Sequence, residues 1–313
     1  MCAAVHAQSP SDTAKQLYDS GHYKEARALL QSEVLKSPRQ PALYYWLGKC
    51  AFELYDDDLG VASAERAVEL EPSNAEYHYF LGTTFGHKAE HASWFSGLSL
   101  ARKAQHEFLE AIQLNQNEIN AQRDLISYDI AAPGIAGGGD DKAKAQIVKL
   151  FAINPLQGHL AQLEFFEDRR KWNEAAAEAT SVLATKPKDV RPYLEVVEYL
   201  QNREDAMGMR NALSEIPREF SSDPHAEYYR AVADVLAGDD LVTAKALIET
   251  YLQRKPPPRR EDHVTLADAH TWLGRLYEKV GQSQSAIGEY RTAIELEPKE
   301  KLARERLRNL GFD

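Results

Sequence analysis

His87 and His91 stand four residues apart in the string His87-Lys88-Ala89-Glu90-His91. On a helix that spacing puts both imidazoles on one face, as a metal ion requires of its ligands. The three consecutive carboxylates Asp56, Asp57 and Asp58 could add hard oxygen ligands to a divalent site. The string lacks the zinc-protease order, which needs glutamate directly after the first histidine. Gly137, Gly138 and Gly139 invite comparison with a phosphate loop, but no strand precedes them and no lysine–serine/threonine pair follows. Asp140 and Asp141 would repel a phosphate and suit a helix N-terminus, so the glycines predict a turn that opens a helix. Cys50 lies mid-helix between Lys49 and Ala51 and reads as a packing residue. With Cys2 it makes only two cysteines, too few for a disulfide framework. No nucleophile elbow, phosphate loop or Cys-x-x-Cys occurs, so no catalytic residue and no cofactor is assigned.

The elements that must position these residues come from a repeating interval. An alanine is followed twelve residues later by a proline at Ala26 and Pro38, Ala143 and Pro155, Ala175 and Pro187, Ala244 and Pro256, and Ala286 and Pro298. Internal repetition of this kind means one supersecondary unit stacked many times. The last full unit carries Leu273, Gly274, Tyr277, Gly281, Ala286, Tyr290, Ala293 and Pro298. The second repeats Leu47, Gly48, Ala67 and Pro72, and the first Leu17, Gly21, Tyr23, Ala26 and Pro38. Gly48, Gly82 and Gly274 would let a neighbouring helix come close. Gly21, Gly238 and Gly281 would take the left-handed conformation at the end of a first helix. The proline stops or redirects the second helix.

These slots resemble the tetratricopeptide repeat, a 34-residue helix-turn-helix unit, and Pro38 to Pro72 spans 34 residues. The resemblance implies an all-α, right-handed solenoid of about eight hairpins. The units lie near 7–40, 41–74, 75–119, 120–155, 156–189, 190–224, 225–258 and 267–300, forming a single repeat domain over 9–313. Pro256 to His263 reads as a stiff linker, and 299–313 as a polar capping helix with Leu302, Leu307 and Leu310 facing the last unit.

Net charge is −11, with a pI near 5.5. A duplex-binding protein needs a basic face, so general nucleic-acid binding is not expected. No stretch approaches the roughly 18–20 apolar residues that span a bilayer. Residues 1–8 read as a disordered N-terminus or the remnant of a signal: Ala3-Ala4-Val5-His6-Ala7-Gln8 resembles the end of a secretory leader. That implies a periplasmic or secreted protein; otherwise the address is cytoplasmic.

Departures from the interval locate candidate function. Gly82 to Ala104 is 22 residues where Gly274 to Ala286 is 12, so unit three is ten residues too long. The excess is expected between its two helices, around His87 to Ser99, with Trp94 and Phe95 tucked against the stack. Unit four carries the insert Ala132-Pro133-Gly134-Ile135-Ala136-Gly137-Gly138-Gly139-Asp140-Asp141. Successive hairpin turns lie on one edge, so Asp56, Asp57, Asp58, His91, Trp94, Phe95, Gly137, Gly138 and Gly139 should share a rim. The lengthened third unit and this insert also resemble bacterial envelope tetratricopeptide proteins. In the family, the first helix of each unit lines a concave groove. That resemblance implies a groove of Tyr18, Tyr45, Lys49, Phe52, Tyr79, Thr83 and His87, suited to an extended peptide. The same aromatics could instead pack between repeats. The expected function is a protein- or peptide-binding scaffold of the bacterial envelope. The alternatives are a metal- or small-molecule-binding protein using the rim, with His87 and His91 as ligands, and a self-associating architectural spacer.

Overall fold

The computed structural model of the protein describes residues 9–254 and 264–312. The candidate signal remnant at 1–8, Cys2 and the whole of the expected 256–263 linker therefore lie outside the described residues. Among the described residues the chain forms α-helices and two 3₁₀ turns, with no strand. The helices are α1 (Pro10–Asp19), α2 (Tyr23–Lys36), α3 (Pro41–Glu53), α4 (Asp57–Leu70), α5 (Ala75–His91), α6 (Trp94–Leu114), α7 (Ile119–Ala131), α8 (Asp140–Ile153) and α9 (Pro155–Asp168). They continue as α10 (Trp172–Ala184), α11 (Arg191–Asn202), α12 (Ala206–Ser214), α13 (Pro224–Ala237), α14 (Leu241–Leu252), α15 (Leu266–Lys279), α16 (Ser283–Leu296) and α17 (Lys301–Asn309).

The repeat slots act as their chemistry requires. α2, α4, α8 and α16 each end two residues before Pro38, Pro72, Pro155 and Pro298. Ala26, Ala67, Ala143, Ala286 and Ala293 are fully buried. A Cβ at Gly48 would stand 2.9 Å from the Phe80 ring, and one at Gly274 2.5 Å from that of Tyr290. Both glycines let a neighbouring helix close in. Gly21 and Gly281 both have φ of 75° at the hairpin turn. Tyr55, Arg170 and Glu204 stand in the same turn slot with φ of 57°, 55° and 52°, although none is glycine.

The chain divides into two compact units, one up to Ala175 and one from Ala176. In the first, each helix from α1 to α9 packs on the next, and α7 also touches α5 and α9. Its apolar side chains form successive clusters, one around Tyr18, Leu30 and Leu43, one around Phe52, Phe80 and Phe108, and one around Ile126, Ile147 and Phe165. Trp46 packs against the first two. In the second unit α13 touches α11, α12, α14 and α15. The degenerate stretch from Pro192 to Pro217 is thus an ordinary helical pair, with Val196, Val197 and Met209 buried. α17 closes the end by burying Ala303 and Leu307 against α16, with Leu310 partly buried beside them.

One expectation is corrected. The extra length of the third hairpin is helix, not a long connection. α5 has 17 residues and α6 has 21, against 13 and 14 for α3 and α4, and only Ala92 and Ser93 join them. Extending both helices continues their backbone hydrogen bonds, which a ten-residue loop would have left to water.

Candidate functional site

The site is a trough at the far end of this long hairpin. α5 is started by Asn74, whose side chain accepts from the backbone N–H groups of Glu76 and Tyr77, and α6 begins directly at Trp94. Gly97 brings the two tips together, since a Cβ there would lie 3.1 Å from the Ala89 carbonyl oxygen. Trp94 is 65% exposed and Phe95 83%, which corrects the expectation that both tuck into the stack.

The insert after α7 forms the facing wall. Pro133 leads into a 3₁₀ turn at Gly134–Ala136, and Gly137 and Gly139 take φ of 100° and 144°. A Cβ on Gly138 would collide with the Ala132 carbonyl oxygen, so only glycine serves there. Arg102 of α6 donates to the Ile135 carbonyl, Tyr128 of α7 to that of Ala136, and Lys142 of α8 to that of Gly137. Arg169, at the C-terminal end of α9, holds both ends of the insert, donating to the Ile130 carbonyl at 3.0 Å and to Asp140 Oδ1 at 2.7 Å. Its hydrogen bond keeps the exposed Asp140 carboxyl below its ordinary range. The triple glycine is thus a fixed turn into α8, and its residues do not line the trough.

Between these walls lies a pocket of about 580 Å³. α5 contributes Thr83, Gly86, His87, Ala89 and Glu90; α6 contributes Trp94, Gly97, Leu98, Ala101, Ala104 and Phe108. α7 contributes Asp124, Ser127, Tyr128 and Ala131, and Ala92, Ser93, Ala132, Pro133 and Ala136 complete the lining. The α7 set recurs at three- and four-residue steps, one helix face. The depth comes from side-chain size, because alanine and glycine occupy positions that leucine would fill.

Of the expected rim, the aspartate turn reaches the long hairpin at one point. Asp58 pairs with Lys88 of α5 at 2.5 Å, which lowers the Asp58 carboxyl below its usual range. Asp56 caps α4 by accepting from the Leu59 N–H at 3.2 Å, and Asp57 and Asp58 sit in the first turn, where helix polarity favours them. The triple aspartate therefore has a structural role at a helix start. His91 is exposed at the end of α5, while the His87 ring stands edge-on to Phe52 at 4.7 Å. Among the described residues no three His, Cys, Asp or Glu side chains converge as a metal would need.

Three of the seven expected groove residues are core. Tyr18 and Phe52 are 2% and 1% exposed, and Tyr45 is buried. The Tyr18 hydroxyl donates to Glu53 at 2.6 Å and that of Tyr45 to Glu76 at 2.7 Å. Lys49 lies over the Tyr18 and Phe80 rings at 5.7 and 5.3 Å. Tyr79 is half-buried against Phe108. A ring without exposed area cannot contact a peptide, so Tyr18, Tyr45 and Phe52 are corrected from groove lining to packing. Of the seven groove residues only Thr83 and His87 line the trough, and Thr83 spends its hydroxyl on the Tyr79 carbonyl. Sequence reasoning missed Gly86, Leu98, Ala101 and Tyr128; their only signal was that the first three lie within the over-long stretch from Gly82 to Ala104 and Tyr128 just before the unit-four insert. Cys50 is buried and its thiol pushed up to about 12, by burial first and then by Glu53, as suits an inert packing residue.

Serial helical hairpins presenting a preformed apolar trough define a helical-repeat interaction protein. Residues 12–75 and 267–300 each match a tetratricopeptide repeat family model, so the chain carries tetratricopeptide repeats. No curated protein matches it. Similar solved structures include a thermophilic tetratricopeptide protein of Thermus thermophilus, 20% identical, covering 61% of this chain and 97% of that one with a TM-score of 0.49. A tetratricopeptide protein of Parabacteroides merdae is 14% identical over 96% of each chain, with a TM-score of 0.49. Pseudomonas aeruginosa pilF is 13% identical over 71% of this chain and 95% of its own, with a TM-score of 0.47. No helix among the described residues is long and apolar enough to cross a membrane.

Proposed function

We propose that the protein is a non-catalytic scaffold that binds a protein or peptide in the trough between α5, α6 and the α7–α8 insert. The observation that carries the reading is the exposed pair Trp94 and Phe95 beside an apolar cavity of about 580 Å³. Large aromatics left in water at a concave site are what interfaces bury at their centres. The small-residue lining and the glycine-built insert support a surface shaped before any partner arrives. The test is a crosslinking pull-down from native extract with the protein and its Trp94→Ala/Phe95→Ala variant. Loss of a partner from the variant supports the trough; capture of every partner by both proteins rejects it.

We propose a location in the bacterial envelope, because the run Ala3 to Gln8 resembles the end of a secretory leader. Cell fractionation of the native protein tests this, with recovery in the periplasm as the expected result and recovery with cytosolic markers as the refutation.

A further inference from the structure

The dimensions and lining of the trough narrow the chemistry of its occupant, on the reading that the trough holds a polypeptide. Its α6 wall runs from Trp94 to Phe108, about 21 Å at a rise of 1.5 Å per residue. An extended chain at about 3.3 Å per residue spans that length with about six residues.

Gly86 marks where such a chain would run closest. It sits inside α5, and a Cβ there would meet nothing within 4 Å. Gly82, one turn earlier, has the opposite setting, with the Phe108 ring 2.6 Å from the same added atom. Glycine weakens a helix interior relative to alanine, and no part of this chain uses the room that Gly86 leaves. Gly288 of α16 also faces open space, but on an exposed helix face outside this trough. At Gly86 the bare backbone borders the trough, and a partner's main chain can approach it.

Charge gives the sign of the partner. Glu90 and Asp124 are the carboxylates of the wall, and neither lysine nor arginine lines it. The nearby cations are engaged elsewhere: Lys88 with Asp58, Arg102 with the Ile135 carbonyl, Lys103 over the Phe85 ring. We propose that the trough takes an extended segment of about six residues from another protein. Its apolar side chains enter between the alanines of α5 and α6, its lysine or arginine meets Glu90, and its main chain passes over Gly86.

The test is selection of a displayed random twelve-residue peptide library on the full-length protein. Selected peptides are then titrated in solution, following the emission of Trp94, the most exposed of the four tryptophans. The expected peptides combine apolar residues with lysine or arginine. They shift Trp94 emission to the blue and bind less tightly at high salt. Filling the trough by Ala101→Leu, or independently by Gly86→Leu, should weaken binding at least tenfold, with circular dichroism and the thermal midpoint confirming the fold. Glu90→Lys should weaken it about fivefold. Selected peptides unaffected by both filling variants would overturn the site while leaving a peptide-binding scaffold. Enrichment of acidic peptides that the filling variants abolish would overturn the charge assignment. If no peptide is selected while the Trp94/Phe95 pull-down still captures a folded protein, the extended occupant is wrong and the scaffold reading stands.

Discussion

Gly82 and Gly86 lie one turn apart on α5, and the same substitution should act on them with opposite sign. An alanine at Gly82 would drive its methyl group into the Phe108 ring. Overpacking of this kind costs about 1–3 kcal/mol. An alanine at Gly86 meets nothing and improves the helix by roughly 0.5–1 kcal/mol. Urea denaturation of the two single variants checks both, with midpoints expected below and above that of the parent. A third change belongs at the same scale. Arg170 is exposed and holds φ of 55°, where an L side chain crowds the following carbonyl. Arg170→Gly should stabilise by about 0.5–1 kcal/mol, the relief exceeding the extra freedom given to the unfolded chain. Residue roles were legible where the repeat carried glycine, as at Gly48 and Gly281. They were hidden at Tyr55, Arg170 and Glu204, because the same strained turn is there imposed by helix packing on residues that do not announce it.

At the scale of elements, Arg169 joins the end of α9 to both ends of the insert, so Arg169→Ala should free it. Hydrogen exchange at the Gly139 amide, which donates to the Asp129 carbonyl at 2.8 Å, should accelerate by about tenfold or more. Unchanged protection there would mean that Arg102, Tyr128 and Lys142 suffice. α15 offers a pH test. Asp268 accepts from both the Thr265 N–H and hydroxyl in a capping box; burial raises its carboxyl above the ordinary range, and Glu198 adds to the effect. The folded chain therefore holds that proton to higher pH than the unfolded chain does. Stability from this group is greatest in acid and is lost as pH rises through the window above the ordinary carboxylate pKa. Asp268→Asn keeps the acceptor and removes the charge. The variant should gain on the parent in urea midpoint as pH rises above the ordinary carboxylate range, and parallel curves would refute the assignment. That unit three was too long was legible from Gly82 and Ala104. That the excess was helical was not, since Gly86 and Gly97 lower helix propensity in the segment and tertiary packing overrides them.

For the whole molecule, the alanine–proline interval determined the architecture, because each hairpin can bury its apolar face only against the next. The groove was misplaced for a related reason: aromatic residues at helical spacing look alike whether they meet a neighbouring repeat or a partner. Only the distances around Tyr18, Tyr45 and Phe52 separate the two. A net charge of −11 repels phosphate backbones from the chain as a whole. At about 150 mM salt the protein should leave the mobility of a labelled DNA duplex unchanged in a gel, and retardation would reveal a basic patch.

α5 exceeds its counterpart α3 by four residues and α6 exceeds α4 by seven, close to one and two full turns. The two helices can therefore grow only in whole-turn increments if their packed faces are to stay in phase. A single alanine inserted after Ser99 would swing Trp94 by about 100° around the axis, whereas seven inserted residues return it to within about 20°. Length variation at this tip is thereby quantised, and chains that share the trough should differ there by whole turns.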